Sequence, residues 1–112
     1  MQQRDVRVYL LDALAAAEQI VSIRDEVGAK RLREDRIVRA AVERHLITIG
    51  EALHKAAGLD DSIEDRLPHL RAIIGLRNRL VHGYFAIEWI RIVAVVKGDI
   101  DALVRDLQTR AH

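Results

Sequence analysis

Apolar residues recur at three- and four-residue steps along almost the whole chain, and that period sets the fold class before any other feature is weighed. Val6, Leu10, Ala13, Leu14, Ala17, Ile20, Val21 and Val27 fall on one side of a 3.6-residue helix, so residues 4–27 read as one long amphipathic helix closed by Gly28. Ala29-Lys30-Arg31-Leu32-Arg33 reads as a charged connector with room for a helical turn. Asp35 is the expected N-cap of a second helix that uses Ile37, Val38, Ala41, Val42, Leu46, Ile49, Leu53 and Ala56 and stops at Gly58. Leu59 to Leu67 is a polar, acid-rich loop. Pro68 stands where proline begins helices, and a third helix follows through Leu70, Ile73, Ile74, Leu76, Leu80 and Val81 to His82. A fourth, from about Ile87 to Thr109, carries Ile90, Val93, Ala94, Ile100, Leu103, Val104 and Leu107. Gly98 is its weak point, at ~1 kcal/mol against alanine unless close packing needs it. Gly75 in the third helix removes a side chain where another helix could approach, in the core or at a dimer seam. No two-residue alternation competes, so the fold class is all-α, an up-and-down four-helix bundle forming one domain over residues 1–112.

Composition narrows the chemistry. With no cysteine, disulfides, thiolate metal sites and a cysteine nucleophile are excluded. His45, His54 and His112 make no i, i+4 pair with another histidine and no H-E-x-x-H string occurs, so no metal is expected. A glycine-rich phosphate loop is absent, so the chain should not itself be a nucleotidyltransferase, and no cofactor is expected. No run of 18 apolar residues occurs and MQQRDVRVYL lacks the layout of a signal peptide, so a cytoplasmic protein without a membrane partner is the expectation.

Net charge is +1, which by itself nominates no partner, but its distribution is uneven. Residues 45–65 hold Glu51, Asp60, Asp61, Glu64 and Asp65 against Lys55, while residues 66–84 hold Arg66, Arg71, Arg77 and Arg79 and no acid. Of 18 basic residues 15 are arginine, the side chain suited to bidentate phosphate contacts, although an arginine-rich composition explains the same excess.

The basic segment contains Arg77-Asn78-Arg79-Leu80-Val81-His82-Gly83-Tyr84, an unusual amount of polar chemistry for an apolar helix. Arg77 and His82, five apart, differ by ~140° around a helix and ~7.5 Å along it, so one straight helix does not bring them together. Asn78 and His82 share a face, and a bend at Gly83 would alter where Tyr84 lies. Histidine can move a proton near neutral pH and arginine can stabilise charge on phosphoryl oxygens, so the set suits phosphate-ester chemistry without a metal. The structural alternative is a histidine at a helix C-terminus, arginines on a solvated face and Tyr84-Phe85 as a core plug.

The string R-x4-H-x-Y at Arg77, His82 and Tyr84 resembles the HepT branch of the HEPN superfamily. So do Arg4-Asp5 with Tyr9-Leu10, Ile49-Gly50-Glu51-Ala52, Pro68, and Gly75 through Phe85, which together span nearly the whole chain. The resemblance implies a helical bundle of HEPN type that pairs as a homodimer, placing the motif in a shared cleft. It implies the toxin of a type VII HEPN/MNT toxin–antitoxin system, a metal-independent endoribonuclease acting on RNA, with tRNA a candidate substrate. Carried over, Arg77 would bind or stabilise the scissile phosphate, His82 would act as general acid or base, and Asn78 would fill the polar position after the arginine. Tyr84 would be the residue that a partner MNT-type nucleotidyltransferase antitoxin modifies with AMP, silencing the toxin by bulk and negative charge.

Glu51 could orient an arginine of that site or form a structural ion pair. Arg79 is a candidate for RNA-backbone contact or a solvated surface residue. Trp89 could stack a base, though packing is the commoner role for a single tryptophan. The alternative function is a non-catalytic helical module that binds a nucleotide or its nucleotidyltransferase. A DNA-binding helix-turn-helix fits less well, since the connectors are long and the basic residues converge on no recognition helix.

Overall fold

The computed structural model describes residues 5–81 and 85–111, with side chains at all of these except 85–88 and 111. Among the described residues all regular structure is helical: α1 (Val6–Glu34), α2 (Arg36–Leu59), α3 (Ser62–Arg66), α4 (Leu70–Val81), α5 (Phe85–Ala94), a π-helical turn (Val95–Asp99) and α6 (Ile100–Ala111). The all-α expectation holds, but the plain four-helix description needs two corrections, given below. No helix among the described residues is long and apolar enough to cross a membrane.

Local signals act where they were expected. The Asp5 carboxylate accepts from the Arg7 backbone N–H at 2.8 Å and starts α1. Gly28 takes φ 80°, ψ 170°, a conformation that a side chain would strain, and helical geometry breaks there. The connector then resumes as helix, because Leu32 is fully buried and the Arg33 carbonyl accepts from Trp89 Nε1 at 3.1 Å. Asp35 caps α2, accepting from Ile37 N at 2.9 Å and Val38 N at 3.2 Å. Those two backbone donors, with Arg31, hold its carboxyl below the usual carboxylate range.

With a single residue between them, α1 and α2 fold back on one another. Tyr9 in the first turns of α1 and Lys55 in the last turns of α2 meet, the ammonium 5.8 Å from the ring centroid, so the two helices run antiparallel. On the other side α1 packs against α6, and α2 packs against α4. The core between them is built from Leu14, Ala17 and Ile20 of α1, Leu46, Ile49 and Leu53 of α2, Ile73 and Leu76 of α4, and Ile100, Leu103 and Leu107 of α6. Close packing there makes the helix faces rigid; emptying one such site by Leu→Ala costs about 2–5 kcal/mol.

The first correction concerns the acid-rich loop, which contains the five-residue helix α3. Ile63 anchors it, 2% exposed, and the Asp60 carboxylate accepts from both Ser62 N and Ser62 Oγ. Five residues are too few to display a period. The second concerns the last helix, which begins at Phe85 and is interrupted by the π turn, with Gly98 inside it. A Cβ on Gly98 would meet nothing within 4 Å, so close packing is not why a glycine stands there. The buried stripe on this element is Trp89, Ile92, Val96, Ile100, Leu103 and Leu107, while Ile90 is 78% exposed. So many branched residues crowd positions 90–96 that their period is ambiguous. Ile37 and Val81, also read as core, lie exposed at the ends of α2 and α4.

Two smaller differences follow from turn geometry. Pro68 and His69 form the turn before α4, with Leu70 N donating to Leu67 O and Ile73 N to His69 O, so α4 starts two residues later than proline suggests. α2 continues through Gly58 to Leu59.

Candidate active site

The site is built where α4 crosses α2. A side chain on Gly50 of α2 would collide with Arg77 Cβ and lie 2.7 Å from its Cγ and 3.5 Å from the Ile73 carbonyl oxygen. Glycine at position 50 therefore lets the stem of Arg77 lie directly on the α2 backbone. Gly75, the residue that the sequence suggested for a close helix approach, does not perform that role. A Cβ there would meet only Arg79 Nη1, at 3.8 Å, from its own helix.

Seated on Gly50, the Arg77 guanidinium is held from two sides. Nη1 donates to Asn78 Oδ1 at 2.9 Å, and Nη2 donates to Glu51 Oε1 at 3.3 Å. Glu51 is therefore the ion-pair partner of Arg77 across the α2–α4 crossing, a contact that either of the roles open to it in the sequence would use. Arg77 Nε is buried and finds no acceptor among the described residues. A guanidinium has five N–H donors. Among the described residues two are engaged and the one on Nε is shielded, which leaves two for an incoming group on a side chain still 31% exposed. A planar cation with two spare donors, fixed by a carboxylate and an amide, is arranged to grip two oxygens of a phosphate.

His82, Gly83 and Tyr84 lie outside the described residues, as does Arg4. Arg79 is half-buried, and its guanidinium reaches back along α4 over Gly75. Trp89 is a packing residue. It is 9% exposed, its indole N–H donates to Arg33 O, and the Arg39 guanidinium covers its ring at 5.1 Å. His69 and Arg71 sit at the far end of α4, Arg71 paired with Glu64 of α3. Among the described residues no group of three or more His, Asp or Glu side chains is arranged to hold a metal ion.

Two hollows flank Arg77, and its two partners each line one of them. Glu51 lines a groove of about 480 Å³ between α1 and α2, together with Tyr9, Arg44, His45 and Lys55. Asn78 lines a smaller hollow of about 320 Å³ beside α3, with His54, Arg71 and Gly75. In the groove, burial and the neighbouring charge of Arg44 push the His45 imidazole below its ordinary pKa of 6.5, which favours the neutral ring. Sequence reasoning treated His45 only as a possible metal ligand. The groove became visible only once α1 and α2 were aligned in space.

The class of helical protein to which this arrangement belongs comes from comparison with known proteins. The family described as Ribonuclease HepT-like matches residues 13–109, so the chain belongs to the Ribonuclease HepT-like family. Its relatives include three proteins of Methanocaldococcus jannaschii. "Putative RNase MJ1380" is 28% identical over 110 residues, covering 96% of this chain and 98% of the relative. "Putative RNase MJ0125" is 24% identical over 119 residues, covering 98% of this chain and all of the relative. "Putative RNase MJ1216" is 24% identical over 110 residues, covering 96% and 88%. No solved structure gives a significant match.

Proposed function

We propose that the protein is a metal-independent endoribonuclease and the toxin of a toxin–antitoxin pair. The observation that carries this reading is Arg77, seated on Gly50 and held by Glu51 and Asn78 with two N–H donors to spare, in a chain of the HepT-like family. Without a metal, the nucleophile is the 2′-oxygen of the RNA itself. It attacks the adjacent phosphorus, the bond from phosphorus to the 5′-oxygen breaks, and a 2′,3′-cyclic phosphate and a free 5′-hydroxyl result. A proton leaves the 2′-hydroxyl and one reaches the departing 5′-oxygen. His82 carries one of these transfers, while Arg77 neutralises the charge that develops on the non-bridging oxygens. The five-residue step from Arg77 to His82 favours a site completed by a second copy of the chain, in which one subunit's histidine serves the other's arginine. Tyr84 is the control point. An AMP group placed there by a partner nucleotidyltransferase sets a second phosphate and a nucleoside against the motif and blocks it.

The test is cleavage of RNA by purified, unmodified protein with EDTA present, followed by the same assay on Arg77→Ala and His82→Ala. Activity in EDTA that is lost in both variants, and on substrate carrying 2′-O-methyl groups, is the expected result. Cleavage that survives His82→Ala removes that residue from the mechanism. RNA binding without any cleavage favours the non-catalytic module instead. Intact mass of protein made with and without the neighbouring nucleotidyltransferase tests the control point: the expected AMP adduct must disappear in Tyr84→Phe.

A further inference from the structure

The groove between α1 and α2 is not used by the chemistry above, yet it opens beside it through Glu51. That residue pairs with Arg77 on one side and lines the groove on the other. On α2, Arg44, Glu51 and Lys55 are seven and four residues apart and so lie on one stripe, with ~16 Å of helix rise between the two cations. Neither cation has an ion-pair partner among the described residues; Lys55 rests on the Tyr9 ring, and Arg44 is exposed. The opposite wall, on α1, offers Tyr9, Asp12 and Gln19, and the lining between is small: Ala15 and Ala16 on α1, Thr48 and Ala52 on α2. Such a channel has a cation at either end, small side chains and the hydrogen-bonding groups Gln19 and His45 between them, and two carboxylates, Asp12 and Glu51, of which Glu51 is neutralised by Arg77.

Those features suit single-stranded nucleic acid. Phosphates seek the isolated cations, a base face lies against small apolar side chains, and its edge meets groups that both donate and accept. A volume of about 480 Å³ is within the range of small-ligand sites, roughly 300–1,000 Å³. The hollow on the other side of Arg77 is smaller, and its Arg71 is already paired with Glu64. We infer that the α1–α2 groove binds the RNA nucleotides adjoining the phosphate gripped by Arg77, with Arg44 and Lys55 on the flanking phosphates. This rests on the ribonuclease reading and adds to it the route of the strand and the residues that set affinity.

The experiment uses the full chain and a short single-stranded RNA bearing 2′-O-methyl groups throughout, so that binding is measured without cutting. Arg44→Ala and Lys55→Met are each expected to weaken binding about 5- to 30-fold and to lower the salt dependence by about one phosphate contact. On cleavable RNA the same variants raise KM and leave kcat near wild type, because they lie away from the reacting atoms. A 5-bromouridine copy of the oligonucleotide, irradiated and mapped by mass spectrometry, should attach to the peptide containing Tyr9. Arg71→Ala, in the other hollow, should bind as wild type. If the wild type binds and cleaves RNA but Arg44→Ala and Lys55→Met behave like it, the groove assignment fails alone. Loss confined to Arg71→Ala, or cross-links confined to residues 64–78, moves the strand to the other hollow and also overturns it. A wild type that neither binds nor cleaves RNA removes both this route and the ribonuclease reading.

Discussion

Two arginines divide the molecule into the part that holds it together and the part kept available. Arg24, on α1, has four of its five donors engaged: Nη1 donates to Asp101 Oδ2 at 2.7 Å and to Val96 O at 3.0 Å, Nη2 to Asp101 Oδ1 at 3.2 Å, and Nε to Asp25 Oδ1 at 2.9 Å. Hydrogen bonding to Asp101, then to Asp25, raises its pKa well above an already high value, so its charge is permanent. By donating to the carbonyl of Val96 within the π turn, it ties α1 to that irregular stretch. Among the described residues Arg77 makes two hydrogen bonds, at 2.9 and 3.3 Å, and buries Nε without an acceptor. A buried donor without an acceptor costs about 1–3 kcal/mol, a state that the Nε of Arg79 shares among the described residues. Under the proposed ribonuclease function, the two uncommitted Nη donors of Arg77 are the ones offered to the substrate.

The sharpest way to break the contrast is to remove each arginine. Arg77→Ala should lower RNA cleavage about 10²–10³-fold while far-UV circular dichroism and the thermal midpoint stay close to wild type. Equal losses of stability and activity would mean that Arg77 is a structural residue like Arg24. Gly50→Ala comes next, because its new methyl collides with the stem of Arg77. A displacement of the guanidinium on the order of 1 Å should cost up to about 10²-fold in cleavage, with about 1–3 kcal/mol of overpacking strain visible in urea denaturation. Unchanged activity would show that the seat tolerates a shift.

Arg24→Ala should do the reverse of Arg77→Ala. It removes the Arg24 donors from Asp101 and the Val96 carbonyl and should destabilise the fold by about 1–2 kcal/mol, reduced by the exposure of Asp101, with cleavage per folded molecule unchanged. The smallest effects are in pH. Arg24 holds the Asp101 carboxyl below its ordinary 3.8, so this contribution is complete above that value and is lost as pH falls through the lower folded-state pKa. His45 works at higher pH. Its folded-state pKa lies below 6.5, so the unfolded chain takes the proton first, and stability drops as pH falls from about 6.5 through the folded-state value. Thermal midpoints across pH 3–8 should show both windows. Asp101→Asn should flatten the acid one and His45→Gln the neutral one; a profile unmoved by His45→Gln would rule out the burial inferred for that imidazole.

Features that depend on a few neighbouring residues could be read without coordinates. Asp35 caps α2 because an aspartate one residue before a helix finds two backbone N–H groups wherever that helix packs. Gly28 breaks α1 because the needed φ suits no side chain well. Arg77, Asn78 and Glu51 were legible as chemistry and as family motif, and in the fold Glu51 is paired with Arg77. What resisted reading depended on surroundings. Ile37 and Ile90 keep helical spacing yet face outward, because spacing names a face and not what covers it.

By itself, the sequence determined the helical class, the caps and breaks, and the residues able to handle a phosphate, since these follow from backbone sterics and side-chain chemistry over a turn or two. Tertiary structure alone decided that Gly50 and not Gly75 is the point of close approach. It also set Glu51, 26 residues away, beside Arg77, and laid Arg44 and Lys55 along a groove facing α1. Those outcomes depend on which helix crosses which, and at what register. Packing of whole faces selects that arrangement, and no local stretch of residues encodes it.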